Sequence, residues 1–238
     1  MTVKKLSIFV EGQTEQLFME KLILEIAGQH NVNLELFSAT GGNNIPRKIT
    51  IIKSCDKMVK KYYVQIINSS TDNRVSSDIN DSFNNLEKQG FSKIIGLLDV
   101  YPKQVTDYTK LNSISNSMLR QSAQTSSKII FSITEIETWF LKEINHLKSF
   151  NSILDTQYIK NKLGYDLIND DLENDVRYHH ASNVLDKIYN LVGRTYDKKK
   201  NKVQSLVNNI DYENLYINLR DNLISLNNLI NELDTFFI

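Results

Sequence analysis

Three short apolar runs along this chain each end in a carboxylate. Ser7-Ile8-Phe9-Val10 leads into Glu11, Ile94-Ile95-Gly96-Leu97-Leu98 into Asp99, and Ile129-Ile130-Phe131-Ser132-Ile133-Thr134 into Glu135 and Glu137. Near-continuous apolar runs of this length read as buried strands, and each is followed by a helical or turn-like stretch. Strands are expected over 6–10, 33–40, 62–68, 93–98 and 128–134. Leu17, Phe18, Leu22 and Ile26 mark an amphipathic helix after the first strand. Helical spacing after Pro46 predicts another helix over 45–61, while 69–77 reads as a polar loop. Further helices are expected over 78–89, stopped by Gly90, then over 108–122 and 136–149. Beyond Phe150 only helical spacing remains, at 158–163, 181–191, 202–210 and 212–236. The pattern predicts an α/β domain over 1–148, a mainly parallel sheet flanked by helices, then an all-helical C-terminal region over 149–238.

In such sheets ligands bind outside the carboxyl ends of the strands. Several acids gathered there repel one another unless a cation lies between them, which points to a divalent-metal site. Composition narrows the partners. The 238 residues carry 28 basic and 28 acidic side chains, so any nucleic-acid contact needs a local basic patch. A single cysteine, Cys55, excludes an intramolecular disulfide and fits a reducing compartment. No stretch approaches the ~18 apolar residues of a membrane span. Met1-Thr2-Val3-Lys4-Lys5 leads straight into a strand-like run without a signal-cleavage region, so a cytoplasmic location is expected.

Each candidate also has a plainer use. In Glu11-Gly12-Gln13-Thr14-Glu15 the glycine allows a sharp turn, and Glu11 and Glu15 face one crevice; alternatively Glu15 answers the helix dipole and Glu11 is a solvated turn residue. Asp99 suits Mg²⁺, which takes hard oxygen ligands, or caps a loop. Glu135 and Glu137 share a face if the strand continues, but diverge by about 200° if a helix has begun, leaving one able to reach the site; Glu137 is the favoured ligand. Lys198, Lys199, Lys200 and Lys202, preceded by Arg194, form the densest basic run and could grip a phosphate backbone, though such runs are more often solvated. Arg47, Lys48, Lys53, Lys57, Lys60 and Lys61 compete for that role. His179-His180 has no third ligand near in sequence, and His180 opens a helix. The last amphipathic helix is read as core packing, with a homodimer or partner contact as its other use.

Taken together, Glu11-Gly12-x-Thr14-Glu15 after a strand and a strand-terminal Asp99 resemble the Toprim domain of topoisomerases, primases and OLD-type nucleases. Glu135-x-Glu137-x-Trp139-x-Leu141 and, more weakly, Tyr196-x-Lys198 look like a Toprim-like group of uncharacterised bacterial proteins often encoded beside ATPases in phage-defence loci. The resemblance covers roughly residues 5–145. It implies a Mg²⁺- or Mn²⁺-dependent nuclease with Glu11 as metal ligand or general acid/base and Asp99 as metal ligand. Glu15, Glu135 and Glu137 are further candidates, and nucleic acid and an ATPase are the expected partners. One departure stands out: the second Toprim motif is acid-x-acid, but here it is Asp99-Val100-Tyr101. Either Glu137 replaces the missing acid or the chain is a non-catalytic subunit.

Overall fold

The structure is a computed structural model describing every residue except 1, 43, 44, 57 and 238. The turn reading at Asn43-Asn44 and the candidate Lys57 lie outside the described residues. In chain order the strands and α-helices are β1 (Lys4–Val10), α1 (Gln13–Ala27), β2 (Val32–Gly42), β3 (Ile45–Lys53), β4 (Tyr62–Asn68), α2 (Asp72–Lys88), β5 (Phe91–Asp99), α3 (Tyr108–Ser117), β6 (Ser126–Ser132), α4 (Glu137–Lys142), α5 (Asn145–Phe150), α6 (Thr156–Leu163), α7 (Ala181–Asn190), α8 (Lys200–Asn209), α9 (Tyr212–Asn214) and α10 (Ile224–Phe237). The fold is α/β. One six-stranded, mostly parallel sheet has the order β3-β2-β4-β1-β5-β6, and helices fill the C-terminal part of the chain. No helix among the described residues is long and apolar enough to cross a membrane.

Two compact units make up the chain. One holds residues 1–98, 109–131 and 232–238; the other holds 99–108 and 132–231. In the first unit β1, β4 and β5 are buried over most of their length, as expected of parallel strands covered on both faces. Ser7 and Gln65, opposite each other in β1 and β4, satisfy one another through a 2.9 Å bond from Gln65 Nε2. Gln16 fastens α1 to the sheet by donating to the carbonyls of Phe37 and Ile66. The last turn of α10 packs on the same unit: Tyr62 meets Phe237 edge to face at 4.9 Å, and Glu232 receives Lys93 at 2.8 Å and Lys128 at 2.6 Å.

Gly96 marks the tightest place in this core. A Cβ there would lie 2.9 Å from Ile79 Cδ1 and 3.0 Å from both Ile129 Cγ1 and Val75 Cγ1. Gly96→Ala is expected to destabilise the protein by about 2 kcal/mol through overpacking. A drop in the urea midpoint at unchanged m-value checks it; an unchanged midpoint refutes it.

The structure corrects four element expectations. Residues 45–53 form β3, antiparallel to β2, instead of a helix. The β-branched run Ile49-Thr50-Ile51-Ile52 favours the extended chain, and because β3 is exposed on both faces it lacks the alternation that announces a strand. Helix α2 begins at Asp72, inside the expected loop; Val75, four residues before Ile79, extends its buried stripe with Phe83 and Leu86. The helix expected over 136–149 is two helices. The chain breaks at Glu143, whose buried carboxylate accepts from the amides of Asn145 and His146 and starts α5. The helix expected over 212–236 breaks into α9, a π-turn, a 3₁₀ turn and α10. Here the buried Glu173 accepts from the Ile224 amide at 2.7 Å and the Ser225 amide at 3.0 Å, supplying the acceptor a new helix start needs.

Candidate functional site

Glu11 and Glu15 belong to the first unit. Glu11 follows the last residue of β1 and is half-buried; Glu15 lies in the first turn of α1 and is buried. Gly12 has extended backbone (φ −151°), so a left-handed turn is not what requires glycine there. It leaves room for the acid: a Cβ on Gly12 would sit 3.0 Å from Glu15 Oε2. Ser69, just past β4, donates its amide to the Val10 carbonyl at 2.8 Å, so the exits of β1 and β4 are tied together. β5 is the other parallel neighbour of β1, with Val10 opposite Leu97. A cavity of about 710 Å³ opens at the carboxyl ends of β2 and β4, walled in part by Thr40, Gly41, Ser70 and Arg74. Arg47, also on its wall, is held by Asp78, whose Oδ1 takes Nε at 3.0 Å, and by the carbonyls of Gly41 and Ser69.

Asp99, Glu135 and Glu137 belong to the second unit. Asp99 Oδ1 accepts the Ile136 amide at 3.0 Å, fixing the entry to α4. Val100 and Tyr101 donate to the Ser132 and Thr134 carbonyls, keeping the two chain segments side by side. Thr134 takes a left-handed conformation, φ 77°, uncommon for a β-branched residue. Neither alternative for Glu135 and Glu137 applies, because a turn separates β6 from α4 and both carboxylates meet one cation. Lys198 Nζ lies 3.2 Å from Glu135 Oε1 and 3.2 Å from Glu137 Oε1.

The rest of the cluster is unequally shared. Glu135 Oε2 receives His180 Nδ1 at 2.9 Å and the Ser182 amide at 2.8 Å, and its Oε1 also receives the Ser182 hydroxyl at 3.1 Å. Burial pushes the Glu135 carboxyl up, but Lys198, the Ser182 amide and His180 together hold it below the usual carboxylate range. Glu137 is fully buried. Its Oε1 receives the Tyr196 hydroxyl at 2.8 Å, while Oε2 has no hydrogen-bond partner among the described residues. Burial raises its carboxyl above the ordinary value, with the Glu135 charge adding and Lys198 opposing. Two adjacent carboxyls are thus pushed apart, one held ionised and the other retaining its proton more readily. Tyr101 stacks on the His180 ring at 4.5 Å, and His179 Nε2 bonds the Lys103 carbonyl, so the loop after β5 lies against both histidines.

Residues 10–234 match the family described as Domain of unknown function (DUF4276). The chain belongs to the DUF4276 family. No curated protein and no solved structure matches it.

Of four residues this DUF4276 chain brings to the two glutamates, three were singled out for other reasons or only weakly, and one was not singled out. Lys198 stood among nucleic-acid candidates, yet it bridges two buried acids. His180 was a helix opener, Tyr196 belonged only to a weak part of the resemblance, and Ser182 carried no signal. The alternation Tyr196-x-Lys198, with both side chains reaching Glu137, was the one hint available in the chain. The rest of the basic run is partly neutralised: Lys199 pairs with Asp197 at 2.8 Å and Lys202 with the same acid at 3.4 Å, while Lys200 is exposed at the start of α8.

As metal donors these residues differ. No group of three or more His, Cys, Asp or Glu side chains arranged to hold an ion occurs among the described residues. Both oxygens of Glu135 are engaged by four donors, leaving it no free acceptor capacity. Glu137 Oε2 is the orphaned buried oxygen, and a hard cation, a water or a proton would satisfy it. Mg²⁺ typically takes only one or two protein carboxylates and completes its octahedron with water and substrate oxygens. Carboxylates fit that demand by donor type; Glu135 as now bonded does not.

Proposed function

We propose that this DUF4276 chain is a divalent-metal-dependent phosphodiester hydrolase acting on nucleic acid, a Toprim-like nuclease working with an ATPase partner in anti-phage defence. The observation that carries the reading is the pairing of β1 with β5. These parallel neighbours, with Val10 opposite Leu97, each run into an acid, Glu11 after the first and Asp99 at the end of the second. That matches the strand-terminal acids of the Toprim pattern, and ligand sites of open α/β sheets lie at carboxyl ends. Glu11 in the first unit, and Asp99 and Glu137 in the second, are each proposed as oxygen ligands for Mg²⁺ or Mn²⁺. When bound, such an ion polarises a phosphodiester and makes a water nucleophilic near neutral pH. Glu135, kept ionised, orients Lys198 and His180. Lys198 offsets negative charge beside Glu137, and the buried Glu137 carboxyl holds a proton more readily than an ordinary glutamate.

The test is incubation of the purified chain with supercoiled plasmid, single-stranded DNA and RNA in Mg²⁺ or Mn²⁺, with EDTA as control. Cutting that requires the metal supports the reading and gives the substrate preference. No cutting of any substrate turns the assignment to a non-catalytic subunit that binds nucleic acid or an ATPase. A specific observation favours that second reading: Lys198 already supplies positive charge to Glu135 and Glu137 without any metal.

A further inference from the structure

A cavity of about 310 Å³ lies within the second unit, lined by Phe150, Tyr189, Arg194, Thr195, Lys202 and Ser205. It contains none of the acids above. Its wall combines an aromatic pair with cations and hydroxyls. Phe150 and Tyr189 meet edge to face at 5.2 Å, and the Arg194 guanidinium lies over the Phe150 ring at 5.0 Å. A guanidinium held over a ring still has its N–H groups to offer an oxyanion. The Arg194 side chain makes no hydrogen bond or ion pair among the described residues. Lys202 Nζ donates to the Thr195 hydroxyl and lies 3.4 Å from Asp197, so it is only partly neutralised. Tyr189 is 4% exposed, and its hydroxyl finds no partner among the described residues.

We infer that this cavity binds a nucleoside phosphate, its phosphate on the Arg194 fork with Lys202 and its ring against Tyr189 and Phe150. The volume decides between a bare oxyanion and a larger ligand: small-molecule sites begin at about 300 Å³, far more than phosphate alone fills. The aromatic floor suits a base, whose flat apolar faces need no hydrogen-bond partner. The inference does not depend on the nuclease reading. The ligand's chemistry is shared by a free nucleotide and by the phosphorylated end of a strand.

Binding is measured in EDTA, where no metal-dependent cleavage occurs, by calorimetry and ligand-induced thermal shift. The probes are AMP, inorganic phosphate, and one short oligonucleotide with either a 5′-phosphate or a 5′-hydroxyl. AMP or the 5′-phosphorylated strand is expected to bind more tightly than inorganic phosphate. Arg194→Ala is expected to weaken that binding at least about tenfold, and Arg194→Lys to restore only part of it. Arg177→Ala, which removes an exposed arginine outside the cavity, should leave it unchanged. Tyr189→Phe keeps the ring and removes only a buried unsatisfied hydroxyl, so it should raise the melting temperature of the free protein and leave AMP binding unchanged. AMP binding would mark a free nucleotide as the ligand, and binding of the 5′-phosphorylated strand alone would mark a strand end. Equal affinity for AMP and inorganic phosphate, affinity unmoved by Arg194→Ala, or no binding of any probe at millimolar concentration would each overturn the inference.

Discussion

On the proposed nuclease reading, Asp99→Asn is expected to remove metal-dependent cleavage and to leave the protein folded. The substitution keeps an oxygen at Oδ1, so the 3.0 Å bond from the Ile136 amide that fixes the entry to α4 survives. What disappears is one negative charge at the end of β5, and with it the anionic oxygen proposed to bind the metal. A metal that polarises a phosphoryl oxygen contributes several kcal/mol of transition-state stabilisation. Loss of about 3 kcal/mol corresponds to a rate reduction of about a hundredfold. Initial rates of plasmid nicking at saturating Mn²⁺, beside a urea midpoint for each protein, separate chemistry from folding. A variant that keeps both rate and midpoint removes Asp99 from the site. Cleavage that survives in Asp99→Asn and Glu11→Gln alike would refute the strand-end assignment altogether.

The second large effect is on stability. Lys198→Met is expected to destabilise the protein by about 3 kcal/mol at pH 7. Removing one partner of a buried ion pair costs about 3–5 kcal/mol because the other charge is left uncompensated. The lower end applies because Lys198 is 41% exposed while Glu137 is fully buried. Lys198 takes a left-handed conformation, φ 55°, whose strain is common to Lys and Met and drops out of the difference.

The loss should shrink as the pH falls. The Glu137 carboxyl is raised above its ordinary value of 4.5, burial being the main cause, so the folded chain holds its proton more tightly than the unfolded chain does. Its contribution to stability is fully present below pH 4.5 and is lost as pH rises through the folded pKa. Glu135 has the opposite sign: Lys198 and its hydrogen bonds outweigh burial and lower it, so its contribution is present above 4.5 and lost as pH falls through its folded pKa. Without Lys198 both carboxyls titrate higher, and a protonated Glu137 no longer buries a charge. Urea denaturation at pH 5 and pH 7 checks this. An equal loss at both values, or one below about 1 kcal/mol at pH 7, would mean that Lys198 does not neutralise Glu137.

Strand positions were largely legible because burial leaves a local mark. β4 spans the predicted residues 62–68, and β1 and β5 differ from prediction only at their ends, since strands covered on both faces read as continuous apolar runs. β3 was missed for the converse reason: a strand exposed on both faces carries no such mark. Helix breaks at Glu143 and near Leu223 were missed because the groups that start the next helices are acids whose amide partners are decided by packing. Glu173 caps a helix beginning more than fifty residues later. The candidate site divides in the same way. The acids at strand ends could be named from sequence because a strand end is a local property. Their counter-ion could not: Lys198 is sixty-odd residues from Glu135, in a run whose local appearance is that of a solvated basic loop.

The sequence by itself determined the α/β class, the strands of the sheet centre and the carboxylates at or just past the ends of β1, β5 and β6, because these depend on the apolar pattern within a few residues. Only the tertiary structure decided that Glu135 and Glu137 share one lysine, that His180, Ser182 and Tyr196 complete the cluster, and that one Glu137 oxygen stays unsatisfied. Hydrogen bonding and charge compensation act through space over about 3 Å, a distance that sequence separation does not measure.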